Sequence, residues 1–375
     1  MMKSNRKLLR YIELIQKTYY GTEKFNQAKS QRDNWQNYSY LQKEVEKVIS
    51  GGYDINLLDF KKHHDEMLNI CKENFSVYEN PRDSKLYYDL FNNVLKSTQY
   101  SRFKFEHRPV AIGSIPIGTM NAKAVNLGSI GSLIFFNKGV FSFCNQIAKL
   151  ITSCFSFIEN NADGKDYFDQ NFSNIINKIN NTASISNRFI DLYSSYCVHG
   201  SVDYSEQYFQ DHRYGIFITI IRDTMEHFIM AHEYAHICLH HNTKSYRFLT
   251  NEDFEEDDRW LMEYEADLFA VDNVWQHYER EGLSLVQCSL GITCFYMSQI
   301  LLSNIIKSEN EGTHPSISNR YEIVKILMEQ HLSELEMNTL QIFENTFNYL
   351  LEANRNAMYA KILVMEYEKF NSSST

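Results

Sequence analysis

Positive charge is in short supply in this chain. Its 37 lysines and arginines face 47 acidic residues, for a formal net charge of −10. That balance argues against nucleic acid as the main partner, because binding a phosphate backbone needs a basic excess. Cysteines number seven, an odd count, and none forms a C-x-x-C pair. This excludes a reading as a disulfide framework and fits buried free thiols in a reducing cytoplasm. No secretory signal is visible either. Lys3, Arg6, Lys7 and Arg10 open the chain, but Leu8, Leu9, Ile12 and Ile15 then recur at helical spacing around Glu13, the pattern of an amphipathic helix. No repeat of 20–50 residues is present. What the chain does have is 375 residues with 43% hydrophobic content, enough to build a core as one large domain or two modest ones.

Charge-free stretches are equally rare, and one stands out. Residues 283–306 carry no charge over a length that could span a bilayer. Ser284, Gln287, Ser289, Thr293, Ser298, Gln299, Ser303 and Asn304 make it polar for a span, so the expectation is a buried helix and no membrane crossing.

The chemistry lies in His232-Glu233-Tyr234-Ala235-His236. On a helix, residues four apart share a face, so both imidazoles can reach one metal, and Glu233 then stands where it can take a proton from water. Alone, the pattern also fits a core or surface helix that happens to carry two histidines. Downstream comes Glu263-Tyr264-Glu265-Ala266-Asp267, again with two acids four apart. A catalytic zinc takes three protein ligands and keeps one open position. Glu263 is assigned as the third ligand beside His232 and His236, and Asp267 as the acceptor that fixes the tautomer of a ligand histidine. The alternative is a solvated acidic helix face.

His-Glu-x-x-His followed by Glu-x-x-Ala-Asp resembles the gluzincin metallopeptidases. The form HEYAH…EYEADLFA is similar to the group containing the prenyl proteases and HtpX-type peptidases. It also resembles the bacterial ImmA/IrrE peptidases and the Lit-type phage-exclusion peptidases. The metzincin pattern does not fit, since its third histidine position is Asn242 and no glycine lies between Gly215 and Gly282. His240 and His241 are read as packing groups or as polar partners near the ligands. Thr313-His314-Pro315 through Arg320 resembles the H-P-x-x-x-x-R segment of the prenyl-protease group. That resemblance implies that His314 hydrogen-bonds the developing oxyanion, and that Arg320 anchors Glu263 or stabilises negative charge nearby. The same segment also reads as a helix start with Pro315 at an early position.

The expected fold is α+β and predominantly α. The resemblance implies a zincin-like core made of a small sheet, the motif helix and a ligand helix, joined to an N-terminal helical region. Residues 1–105 are expected to be a helical scaffold, gating or partner-binding region, punctuated at Gly51-Gly52 and Asn80-Pro81, with His63 and His64 exposed. Residues 106–330 are expected to hold the metallopeptidase core, and 331–375 C-terminal helices with a disordered tail. Strands are expected between Pro109 and Val140, with turns at Gly113, Gly118, Gly128 and Gly131. Residues 116–140 would contain the edge that pairs with an extended substrate. Two helices around an acidic turn near Asn161–Gly164 are expected to follow. Residues 216–241 and 259–281 form the two metal-binding helices, separated by an acidic loop at 251–258.

The expected activity is zinc-dependent hydrolysis of peptide bonds in a specific intracellular protein, with one Zn²⁺ and no nucleic acid. The resemblance places it in phage exclusion or stress regulation. Three alternatives remain: a zinc-stabilised sensor with little activity, an integral membrane peptidase, and a secreted toxin protease.

Overall fold

A computed structural model describes residues 6–35, 57–99, 109–160, 165–239, 257–306 and 315–372, together with Lys43 and Glu46. The N-terminal part of the described chain includes the helices α1 (Arg6–Trp35), α2 (Leu57–Asn74) and α3 (Pro81–Thr98). Helix α1 is broken at Gly21, whose φ of 63° belongs to the left-handed region. Asn80 caps α3 by accepting from the Arg82 amide at 2.8 Å, and Pro81 occupies the first helical position, where no N–H is needed. Tyr87, Leu90, Phe91 and Val94 form its buried stripe at helical spacing. His63 is exposed on α2, but His64 is buried at 3% exposure, against the expectation that both face solvent. It falls on the same side of α2 as Met67 and Cys71, three and seven positions on.

The sheet follows, as β1 (Val110–Ile115), β2 (Ala122–Asn126) and β3 (Ser132–Asn137), in the order β1-β3-β2. Strand β1 runs parallel to β3 and β2 runs antiparallel to it, which leaves β2 as an edge strand. Gly113 is not a turn residue. It sits inside β1, where a Cβ would come within 2.6 Å of Ile12 on α1. The glycine is needed for close packing. Leu8 and Ile12 bury themselves against Ala111, Leu133 and Phe135. Beside them the fully buried Glu79 carboxylate accepts from the Ser114 amide at 2.5 Å, the Ser114 hydroxyl at 2.8 Å and Gln16 at 2.5 Å. Ser76 donates to Gln16 in turn. Every polar atom named there has a partner, so the cluster ties α1, the turn before α3 and β1 together without stranding a charge.

Next come α4 (Gly139–Ser153), the hairpin β4 (Phe157–Asn160) with β5 (Lys165–Phe168), α5 (Phe172–Asn181) and α6 (Ala183–His199). The hairpin replaces part of the expected helical stretch. Phe157 pairs with Phe168, their rings stacked 5.4 Å apart, and Phe168 also meets Phe217 at 3.8 Å. Cross-strand aromatic pairs of this kind favour strand over helix. The remaining helices are α7 (Gly215–Cys238), α8 (Asp257–Tyr278), α9 (Leu285–Ile306), α10 (Ile317–His331) and α11 (Glu334–Ser372). The described chain is therefore mostly helical with small sheets.

Backbone contacts sort the chain into two units. One comprises Met1–Pro116, Ala122–Asn137 and His236–Tyr246, and the other Ile117–Asn121, Lys138–Ala235 and Arg247–Thr375. The second is organised around α9. Its length and hydropathy would suffice to cross a membrane, and 67% of its most apolar window is buried inside the protein. Gly291 on α9 lies directly against α7, where a Cβ would meet the Thr224 hydroxyl at 2.1 Å and the Ile221 carbonyl at 2.5 Å. Trp275 of α8 donates to Ser289 of α9 at 3.0 Å. The long α11 covers α9 and α6, burying Leu340, Phe343, Phe347, Leu350 and Met358.

Candidate metal centre

Helix α7 is apolar on nearly every side near its end. Phe228, Met230, Ala231, Tyr234 and Ala235 are all at most 1% exposed, as suits a helix surrounded by others. Polar groups on such a helix need partners. His232 and Glu233 are buried there, and His236 stands one turn further on, half-buried. Helix α8 answers with a polar insertion in its own buried stripe. Glu263 and Asp267 stand on the face that also carries Ala266, Ala270 and Val274.

His232, His236 and Glu263 each offer one donor atom, and the three atoms lie within 4.8 Å of one another. The His232 Nε2 atom is 3.5 Å from Glu263 Oε2. Its other ring nitrogen, Nδ1, lies 2.9 Å from Asp267 Oδ1. Asp267 therefore holds the far side of the ring and leaves Nε2 directed at the donor cluster, the arrangement by which carboxylates orient histidine ligands.

Arg320 ties the two carboxylates together. Its Nε donates to Asp267 Oδ2 at 2.7 Å and one terminal nitrogen donates to Oδ1 at 2.6 Å, a two-pronged contact. The other terminal nitrogen lies 3.1 Å from Glu263 Oε2. Arg320 reaches them from the first turns of α10, which Ser316 caps by accepting from the Asn319 amide at 3.1 Å. Pro315 thus precedes the cap and is not an early helical residue, because the Ser316 side chain takes the capping role.

The charges settle accordingly. Burial alone would raise the Asp267 carboxyl, but the Arg320 charge and the hydrogen bonds from Arg320 and His232 overcome it and hold the group below its usual range. Burial alone would lower the His232 imidazole. Its contacts with Asp267 and Glu263 reverse that and raise it to about 9. Burial likewise works against the Arg320 charge, and Asp267 outweighs it, so the guanidinium is held firmly cationic.

Two imidazoles and one carboxylate make a donor set that could hold a metal ion. The structure thus brings together His232, His236, Glu263, Asp267 and Arg320, with Glu233 buried on the same helix. His314, His240, His241, residues 251–256 of the acidic segment and Gly51-Gly52 lie outside the described residues. The two-pronged grip of Arg320 on Asp267 has no local signature, since 53 positions separate the partners.

Comparison with known proteins adds one match. The sequence profile of the family described as Peptidase U49 matches residues 153–334. That stretch contains every residue of the cluster, from His232 to Arg320, and the match supports a protease acting on protein or peptide. No curated protein and no solved structure matches the chain.

Proposed function

We propose that this chain is a zinc-dependent endopeptidase of gluzincin type. The observation that carries the reading is the donor cluster of His232, His236 and Glu263, which lies inside the stretch matching a peptidase family. When bound there, zinc would supply Lewis-acid polarisation of the scissile carbonyl and lower the pKa of water toward neutrality. His232, His236 and Glu263 hold the ion. Asp267 keeps His232 in the tautomer that leaves Nε2 free, and Arg320 keeps Asp267 ionised and holds both carboxylates in place. Glu233 takes the proton from the attacking water and passes it to the leaving amine. His314 is assigned to the oxyanion by resemblance.

The substrate is placed among intracellular proteins, in phage exclusion or stress regulation, by the same resemblance. Burial of α9 favours a core helix over a membrane-spanning one. Retention in membranes after a carbonate wash would reverse that preference.

Replacing Glu233 by Gln keeps the size of the side chain and removes the base. We expect Glu233→Gln to retain zinc while cleavage falls below detection. The measurement compares new protein N-termini in cells expressing the two forms. Equal cleavage by both would dismiss Glu233 as the base, and no zinc-dependent termini in either would favour a sensor with little activity.

A further inference from the structure

Tyr296 of α9 is fully buried. Its ring stacks on Tyr321 of α10, with centroids 5.0 Å apart and 22° between the planes, and Phe228 of α7 meets it edge-on at 5.6 Å. These two contacts hold the ring in its buried position. That hydroxyl faces the Asp267 carboxylate and the Arg320 guanidinium, yet it makes no hydrogen bond of ordinary geometry. A buried polar group left in that state costs about 1–3 kcal/mol, which phenylalanine would avoid.

Asp267 has room for it. A carboxylate accepts roughly four hydrogen bonds. Asp267 receives Arg320 on both oxygens and His232 Nδ1 on one of them, so one acceptor position remains. Tyr321 cannot fill it, because its own hydroxyl donates to Glu344 Oε1 of α11 at 2.8 Å and lies 3.3 Å from Thr293 Oγ1.

We propose that Tyr296 is a positioning residue for the metal centre: in the metal-loaded protein its hydroxyl supplies the remaining hydrogen bond to Asp267 and so fixes the carboxylate that orients His232. The proposal rests on the metallopeptidase reading above. It adds a fourth helix, α9, to those that set the geometry of the ligands.

The test uses the full chain as wild type, Tyr296→Phe and Tyr321→Phe, with Co²⁺ as the probe. Three quantities are measured: Co²⁺ affinity by chelator competition, the ligand-field absorption spectrum of the bound ion, and thermal unfolding of the metal-free proteins. Tyr296→Phe keeps the ring and its stacking and removes a hydroxyl that is unpaired without metal, so its metal-free melting point should equal or exceed that of wild type. Its Co²⁺ affinity should fall about tenfold or more, with an altered spectrum, the size of effect found when the outer partners of metal ligands are removed. Tyr321→Phe loses a hydroxyl committed to Glu344 and should bind Co²⁺ within about twofold of wild type. The proposal is overturned if Tyr296→Phe matches wild type in affinity and spectrum. It is equally overturned if both variants lose affinity alike, which would indicate general loosening of the helices. A wild-type protein that binds no Co²⁺ overturns the metal reading itself, a result distinct from either of these.

Discussion

Glu226 and His227 sit side by side on α7, a turn or more before the motif, and both are buried. His227 Nε2 lies 2.7 Å from Asn273 Oδ1, while its Nδ1 and Glu226 Oε2 make no hydrogen bond. Burial pushes the Glu226 carboxyl up from 4.5 to about 8, with Arg222 pulling the other way and Asp223 adding to the rise. Burial pushes the His227 imidazole down from 6.5 to about 3, helped by His277 and opposed by Asn273. The signs are opposite in consequence. As pH rises from 4.5 toward 8, the unfolded chain releases the Glu226 proton and the folded one keeps it, so stability falls. As pH falls from 6.5 toward 3, the unfolded chain takes up a proton on His227 that the folded one refuses, and stability falls again. The two intervals overlap, so no pH suits both residues. Glu226→Gln, which cannot ionise, should equal wild type near pH 4.5 and become increasingly more stable than it toward pH 8. Urea unfolding across that interval measures it, and parallel pH profiles for the two proteins would count against a buried neutral Glu226.

Among the elements, the contact of α9 with α7 is the tightest test of packing. Replacing a mid-helix glycine by alanine ordinarily stabilises a helix by about 0.5–1 kcal/mol. At Gly291 the new methyl would meet the Ile221 carbonyl at 2.5 Å and the Met225 amide nitrogen at 2.8 Å, and backbone atoms cannot turn aside as a side chain can. Overpacking of this kind costs about 1–3 kcal/mol, which exceeds the propensity gain. Gly291→Ala should therefore lower stability, read as an earlier midpoint in chemical unfolding, and a later midpoint would show that the helices can part without strain. The same elements show how much was legible beforehand. The two helices that carry the cluster were readable because their polar residues pair four apart, His232 with His236 and Glu263 with Asp267, a local signal that survives in any helix. The hairpin β4–β5 was not, since short apolar runs such as that around Phe157 and Phe168 fit helix and strand alike until a partner is known. His64 and Gly113 misled for a related reason, as only the neighbours α3 and α1 decide what surrounds them. The contacts of Asp267 with Arg320 and of Tyr321 with Glu344 join three helices, and no spacing rule reaches across them.

At the scale of the whole molecule, a metal ion held by the cluster would be coupled to stability. An ion that binds the assembled cluster and not the unfolded chain stabilises by mass action, about 2.7 kcal/mol at a hundredfold excess over its dissociation constant. For a chain of 375 residues that corresponds to a rise in melting temperature of about 3 °C. Zinc-loaded protein should therefore melt several degrees above chelator-treated protein, and Glu233→Gln should show the same difference because it retains the ligands. Identical melting curves with and without zinc would argue against the cluster as a metal site. The order of the cluster along the chain has a further consequence. His232 and Arg320 lie 88 positions apart, and at a synthesis rate of about 5–20 residues per second the ribosome needs roughly 5 to 20 seconds to pass from one to the other. During that interval a nascent chain has both histidines but lacks the guanidinium that holds Asp267 and Glu263. Such a chain therefore lacks the grip on its two carboxylates until the last two helices are being made.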